Sequence, residues 1–167
     1  KGAAGFYQGW VAEDMATSMA AQGGLHAVED FARHKGDYVK PIATDYKDVK
    51  LWECPPPGQG LTALLMLNIL KAYGPEHAGG DPLGPDRLHL QLETAKLAYR
   101  ERNAHIADPA FAKVSVDGLL SESHAKALAG LIMADKALDL GAIGKFPKHP
   151  DTIYLTVVDR DRNAVSF

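Results

Sequence analysis

Cysteine is almost absent: Cys54 is the single one in the chain. One thiol cannot close a disulfide within the chain, and a thiolate metal cage would lack its ligands. The compartment stays open, because an exported protein need not use disulfides. Runs of like charge are missing too. No cluster of Lys or Arg forms a basic arm, and the net charge is -3, so nucleic acid is a poor candidate for the main partner. No apolar run approaches the ~20 residues that cross a membrane. No signal peptide is visible, although a chain that opens at Lys1, already in a helical pattern, leaves room for an upstream segment. Internal repeats and low-complexity stretches are absent. What remains is an ordinary globular composition, 46% hydrophobic and 23% charged, sufficient to core one domain or a large piece of one.

The periodicities divide the chain. Val11, Met15 and Met19 recur at four-residue spacing, with Phe6 and Trp10 on a related face, which predicts an amphipathic helix over Gly5 to Ala21 ended by Gly23-Gly24. A second short helix fits His26 to His34. Pro41 to Cys54 reads as a hairpin turning near Asp45 to Asp48, and Pro55-Pro56-Pro57 stops the pairing. Leu61 to Tyr73 is apolar nearly all round and predicts a buried helix. After a Gly/Pro-rich connector, Gly74 to Gly84, a long helix runs from Pro85, where proline suits the first turn, to about Ala107. Its expected inner face is Leu88, Leu92, Ala95, Tyr99 and Ile106. Asp108-Pro109 ends it. A further helix spans Ser121, a candidate cap, to about Ala137, with Leu128, Leu131 and Ile132 inward. Gly141 to Pro150 reads as an exposed, flexible linker.

The period then changes to two. Ile153, Leu155 and Val157 share one strand face; Thr152, Tyr154, Thr156 and Val158 share the other. Asp159 to Asn163 is a charged turn, and Ala164 to Phe167 starts the return strand. A lone hairpin is marginal, so further strands are expected beyond Phe167 and the sequence reads as part of a longer protein. On pattern alone Thr152 is a residue that suits the opening of a strand.

Four blocks give more. "FYQGWVAEDMATSMAAQGGLHAVEDFARHK", "PIATDYKDVKLWECPPPGQGLTALLMLNIL", "LETAKLAYRERNAHIADPAF" and "DTIYLTVVDRDRNAVSF" occur in an order and at a spacing that resemble the gamma-glutamyltransferase (gamma-glutamyltranspeptidase) family, over essentially the whole chain. The resemblance implies an α+β, four-layer αββα N-terminal-nucleophile hydrolase fold, to which this chain contributes mainly helices and hairpins. It implies a proenzyme that cuts itself between Asp151 and Thr152. Residues 1-151 would then be the later part of a large subunit with its linker, and 152-167 the start of the small subunit. Thr152 would be the nucleophile. It would take a gamma-glutamyl group from a glutathione-like donor and pass it to an amino acid, a peptide or water. No metal or organic cofactor is implied. The family's substrate-binding residues and oxyanion-hole donors fall outside these residues, so the chain by itself is expected to be inactive. Bacterial members are commonly exported, which makes the periplasm or secretion an option without excluding the cytoplasm.

Elementary chemistry runs alongside. A threonine hydroxyl needs a base to attack at neutral pH. Cleavage ahead of Thr152 frees an α-amino group of reference pKa near ~8, so nucleophile and base reside on one residue. Two departures from the family pattern stand out. Ile153 and Tyr154 replace the usual Thr and His after the nucleophile, as in relatives that are acylases or amidohydrolases. Arg162 replaces a turn glycine, which leaves Asn163 to take the positive φ.

Other candidates have plainer readings. "PPPGQGLT" places glycines before a helix N-terminus, as an anion site does, but lacks the phosphate-loop lysine; it reads as a turn. His89 and His105 are too far apart on one helix to share a metal ion. Glu93, Lys96, Arg100 and Glu101 read as a solvated helix face with three- and four-residue ion pairs. Cys54 reads as a packed thiol. Two rivals to the transferase reading stay open: the same fold with another acyl donor, and a non-enzymatic helical module whose last hairpin pairs with a partner strand.

Overall fold

The computed structural model describes residues 2-74, 81, 83-140 and 155-166. Three helices open the chain: α1 (Gly2-Tyr7), α2 (Trp10-Ala21) and α3 (Val28-Arg33). The expected single first helix is therefore broken, at Gln8-Gly9. A side chain on Gly9 would meet the Gly5 carbonyl oxygen at 3.2 Å, so the close turn there suits glycine. The inward residues of α2 are Ala12 and Ala16; Val11, Met15 and Met19 are only half-buried.

The predicted hairpin is present. β1 (Ile42-Tyr46) pairs antiparallel with β2 (Val49-Glu53), with Thr44 opposite Leu51. Lys47 takes the left-handed conformation its tight turn demands, at φ 55°. The prolines that follow end the ladder, and α4 (Gly60-Tyr73) begins directly after them. Gly60 has to be glycine in this packing, because a Cβ would lie 2.7 Å from the Glu53 Cβ and 2.8 Å from the Cys54 carbonyl oxygen.

Helix α4 is the hub, as its apolar circumference predicts. Leu61, Leu64, Leu65 and Ile69 are fully enclosed. It packs on α5 (Pro85-His105), on α7 (Glu122-Ala129) and on β1. The core joins Leu65 and Ile69 of α4, Leu90, Leu97 and Ala98 of α5, and Leu128, Ala129 and Ile132 at the end of α7. Each enclosed leucine contributes about 2 kcal/mol of burial. The inner face of α5 differs from the expected one. Leu90, Glu93, Thr94, Leu97, Ala98 and Glu101 face inward, whereas Leu88, Leu92 and Tyr99 are 40-63% exposed. Between α5 and α7 lies a single turn, α6 (Val116-Leu119). Ser121 caps α7 as expected, its hydroxyl accepting from the His124 N-H at 3.3 Å. That helix ends at Ala129, earlier than its apolar pattern suggests.

Asn68 holds three elements together in this core. Its side-chain oxygen accepts from the Thr44 hydroxyl of β1, and its Nδ2 donates to the Leu120 carbonyl oxygen at 3.1 Å. Two short strands close the chain, β3 (Thr156-Val158) and β4 (Ala164-Ser166), in register Val157 to Val165. Val157 and Val158, on opposite faces, are 51% and 62% exposed.

Candidate active site

Asp151 and Thr152 lie outside the described residues, as do Ile153, Tyr154 and the Gly141 to Pro150 stretch. The structure describes the chain on either side of them: the segment reaching Leu140 and the hairpin from Leu155.

The hairpin is organised by one carboxylate. Asp159 Oδ1 accepts from the N-H groups of Asp161 and Asn163, both at 2.9 Å, and its Oδ2 accepts from Asn163 Nδ2 at 2.8 Å. The Asn163 side chain and backbone N-H, and after them the Asp161 N-H, hold the carboxyl below its ordinary range against an opposing desolvation. The turn closes with the Arg162 N-H on the Asp159 carbonyl oxygen and the Asp159 N-H on that of Asn163, both at 3.1 Å. The left-handed residue is Arg162, at φ 65°. The expectation that Asn163 takes the positive φ is thus incorrect: Asn163 has to present both its N-H and its amide to Asp159, and that role places it after the left-handed position.

Upstream, the four charged residues of α5 are not all on a solvated face, contrary to expectation. Glu93 is 2% exposed and Glu101 is buried. Glu93 Oε1 takes Lys96 Nζ at 2.7 Å, and its Oε2 takes the Leu138 N-H at 2.7 Å. Lys96 Nζ also donates to the Leu138 carbonyl oxygen at 3.0 Å. Burial pushes the Glu93 carboxyl up; the Lys96 ammonium and the Leu138 N-H, with His89 nearby, more than offset that and leave it below the usual carboxylate range. Sequence spacing identifies the Glu-Lys pair but not its burial, which depends on the segment after α7 folding back over α5.

Glu101 gathers a second group. Its carboxylate meets Arg100 at 3.1 Å, His124 Nε2 of α7 at 3.2 Å and His105 Nε2 at 3.6 Å. His89 Nε2 instead contacts the Met133 carbonyl oxygen at 2.8 Å. Among the described residues no group of three or more His, Cys, Asp or Glu side chains is arranged to hold a metal ion. The PPPGQG loop borders a cleft of about 530 Å³ lined by Gln59, Arg102 and Asn103 among others. Its polar groups are tied to one another: Arg102 donates to Gln59 Oε1 at 3.2 Å and to Asn103 Oδ1, with its guanidinium 4.7 Å from the centre of the Tyr99 ring. That supports the turn reading. Cys54 is exposed rather than packed.

The arrangement of helices and hairpins matches solved structures of one class. The Helicobacter pylori gamma-glutamyltranspeptidase aligns with a TM-score of 0.67 at 30% identity, covering 82% of this chain and 39% of that one. A cephalosporin acylase of Bacillus halodurans aligns with a TM-score of 0.68 at 33% identity, covering 98% and 28%. The described residues are thus part of the α+β fold of N-terminal-nucleophile hydrolases. In sequence, residues 1-167 match the profile of the Gamma-glutamyltranspeptidase family. A glutathione hydrolase-like proenzyme of Bacillus subtilis, YwrD, is 35% identical over 100% of this chain, and the glutathione hydrolase proenzyme of Escherichia coli is 34% identical over 96%. The chain spans 31% and 28% of those relatives' lengths. It belongs to the gamma-glutamyltranspeptidase family, a family of enzymes.

Proposed function

We propose that the complete protein is a self-cleaving gamma-glutamyl hydrolase or transferase whose nucleophile is Thr152. The observation that carries the reading is the family match over residues 1-167, a span that includes the block "DTIYLTVVDRDRNAVSF", in which Thr152 resembles the family's nucleophile. Residues 1-151 then end the large subunit, and 152-167 begin the small one. In maturation the Thr152 hydroxyl oxygen adds to the Asp151 carbonyl carbon. The C-N bond between the two residues breaks, and the Thr152 nitrogen leaves as an amine, taking up the hydroxyl proton. Water hydrolyses the resulting ester and leaves Asp151 with a free carboxylate. The freed amine then serves as the base. It takes the hydroxyl proton as Thr152 attacks the gamma-glutamyl carbonyl of a glutathione-like donor, and an amino acid, peptide or water collects the acyl group.

A second reading keeps the fold and changes the acyl donor. The likeness to an acylase structure and the bulk of Ile153 and Tyr154 beside the nucleophile favour it. The deciding experiment is the intact mass of the full-length protein after incubation. Two fragments with Thr152 at the new N-terminus are expected, and Thr152→Ala should abolish both cleavage and turnover. A single uncut chain that turns over substrate defeats the proposal.

A further inference from the structure

Two hollows meet along the end of α5. One, of about 530 Å³, lies against the loop that precedes α4. The other, of about 380 Å³, lies against α6. Asn103 and Ile106 line both, so the two form one groove. Its lining is one-sided in charge. Arg102 borders the first hollow, His105 and Lys113 border the second, and no Asp or Glu lines either. This holds in a chain whose net charge is -3. His105 already faces a carboxylate, that of Glu101 at 3.6 Å. Arg102 and Lys113 meet none among the described residues.

Arg102 is held still without being neutralised. Its Nε and Nη2 donate to Asn103 Oδ1 at 3.1 and 2.9 Å, and its Nη1 donates to Gln59 Oε1 at 3.2 Å. The Tyr99 ring lies against it, 4.7 Å from ring centre to guanidinium carbon. Both acceptors are neutral amide oxygens, so they fix the side chain and leave its charge intact. A guanidinium has five N-H groups. These contacts use one on each nitrogen, and the others are left to donate. A carboxylate is the group that takes two guanidinium N-H groups side by side. The ordering of the arginine that such a contact requires is already in place. Tyr99 adds apolar surface beside it, at 43% exposure, and Arg with Tyr is a pairing that favours interfaces.

We propose that this groove is a docking surface inside the full-length protein. Its occupant is an acidic segment of the same polypeptide from outside residues 1-167, with one carboxylate seated on Arg102. Charge selects the chemistry, because covering a guanidinium with apolar surface alone is costly and a carboxylate opposite it offsets that cost. Length selects the source. The chain spans 31% and 28% of two relatives, so a protein of their size has most of its polypeptide outside these residues. The docking needs neither the cut before Thr152 nor turnover.

The test is cross-linking of the full-length protein with a water-soluble carbodiimide, which joins an amine to a carboxylate already in contact with it. Arg102→Lys supplies the amine at the groove. Should that variant fail to accumulate in soluble form, the wild-type protein is read in the same way at Lys113. The exposed pairs Lys50-Asp45 and Lys126-Glu122 are the positive controls. Linked peptides are mapped by mass after proteolysis. The expected result is a link from position 102 to an Asp or Glu outside residues 1-167, in a species no heavier than one polypeptide. Replacing that acid by its amide should abolish the link. A link to a second molecule, seen at double mass, makes the groove a contact between copies and overturns the proposal. So does a link confined to residues 1-167, or no link from position 102 in a sample whose control pairs have reacted. The link is read in cut and uncut protein alike, so its failure leaves the Thr152 reading untouched, and an uncut protein leaves the docking testable.

Discussion

At the scale of the residue, Arg162 and Asp159 carry the hairpin that follows the proposed nucleophile. An L side chain in the left-handed region costs about 1 kcal/mol, and Arg162 bears that cost at φ 65°. Glycine removes the strain but adds freedom to the unfolded chain. Arg162→Gly should therefore tighten the turn by up to about 1 kcal/mol, and Arg162→Val, β-branched at the same φ, should loosen it by about 1-2 kcal/mol. Hydrogen exchange at the Asn163 N-H, which Asp159 holds, reads the difference; slower exchange in the Val variant contradicts the account. The turn itself is legible in the sequence, from Asp159 and Asn163. Which residue takes the positive φ is not, because that is decided by how many hydrogen bonds Asn163 must make to Asp159. Asn68 shows the opposite case. An amide in a helix that is apolar nearly all round stands out in the sequence, but its partners, Thr44 and the Leu120 carbonyl, are far away along the chain.

At the scale of the element, α5 is the instructive one. Its start at Pro85 and its end before Asp108-Pro109 follow from local chemistry. Its buried face does not, because apolar residues occur on more than one side and the helix rotates to seat Leu90, Leu97 and Ala98 on α4 and α7. That rotation carries Glu93 inside. Its carboxyl lies below the ordinary value of 4.5 in the folded protein, so the folded state binds fewer protons than the unfolded one as the pH falls past that value. The stabilisation is fully present above the unfolded pKa and is lost as the pH drops through the lower, folded value. Urea midpoints of the full-length protein at pH 6 and at about pH 3 should fall further apart in wild type than in Glu93→Gln, which cannot titrate there. Equal acid sensitivity in the two proteins would remove Glu93 as a contributor. The first helix gives a similar lesson: Val11, Met15 and Met19 set a clear period, yet Ala12 and Ala16 are buried, because small residues allow α1 and α3 to approach.

At the scale of the whole molecule, the chain spans 31% and 28% of the lengths of two relatives, and the choice of acyl donor is the question for the full-length protein proposed above. The cleaved full-length protein should turn over gamma-glutamyl amides faster than amides of other dicarboxylic or aromatic acids. A preference of about tenfold, or 1.4 kcal/mol of transition-state binding, for another acyl group would establish the acylase reading instead. The valines of the last hairpin (Val157, Val158 and Val165) are exposed, since a two-stranded ribbon is too thin to cover its own faces. The sequence by itself determined the family, the α+β class, the hairpins, the Ser121 cap, the ends of α2, α3, α4 and α5, and the candidate Thr152, because each depends on local hydrogen bonding, on periodicity, or on residues in ordered blocks. Only the tertiary structure decided which face of α5 is buried, that Glu93 and Lys96 grip Leu138, and that Asn68 joins β1 to the end of α6. Burial and long-range pairing arise when elements distant in sequence compete for the same core, and no local pattern records the outcome of that competition.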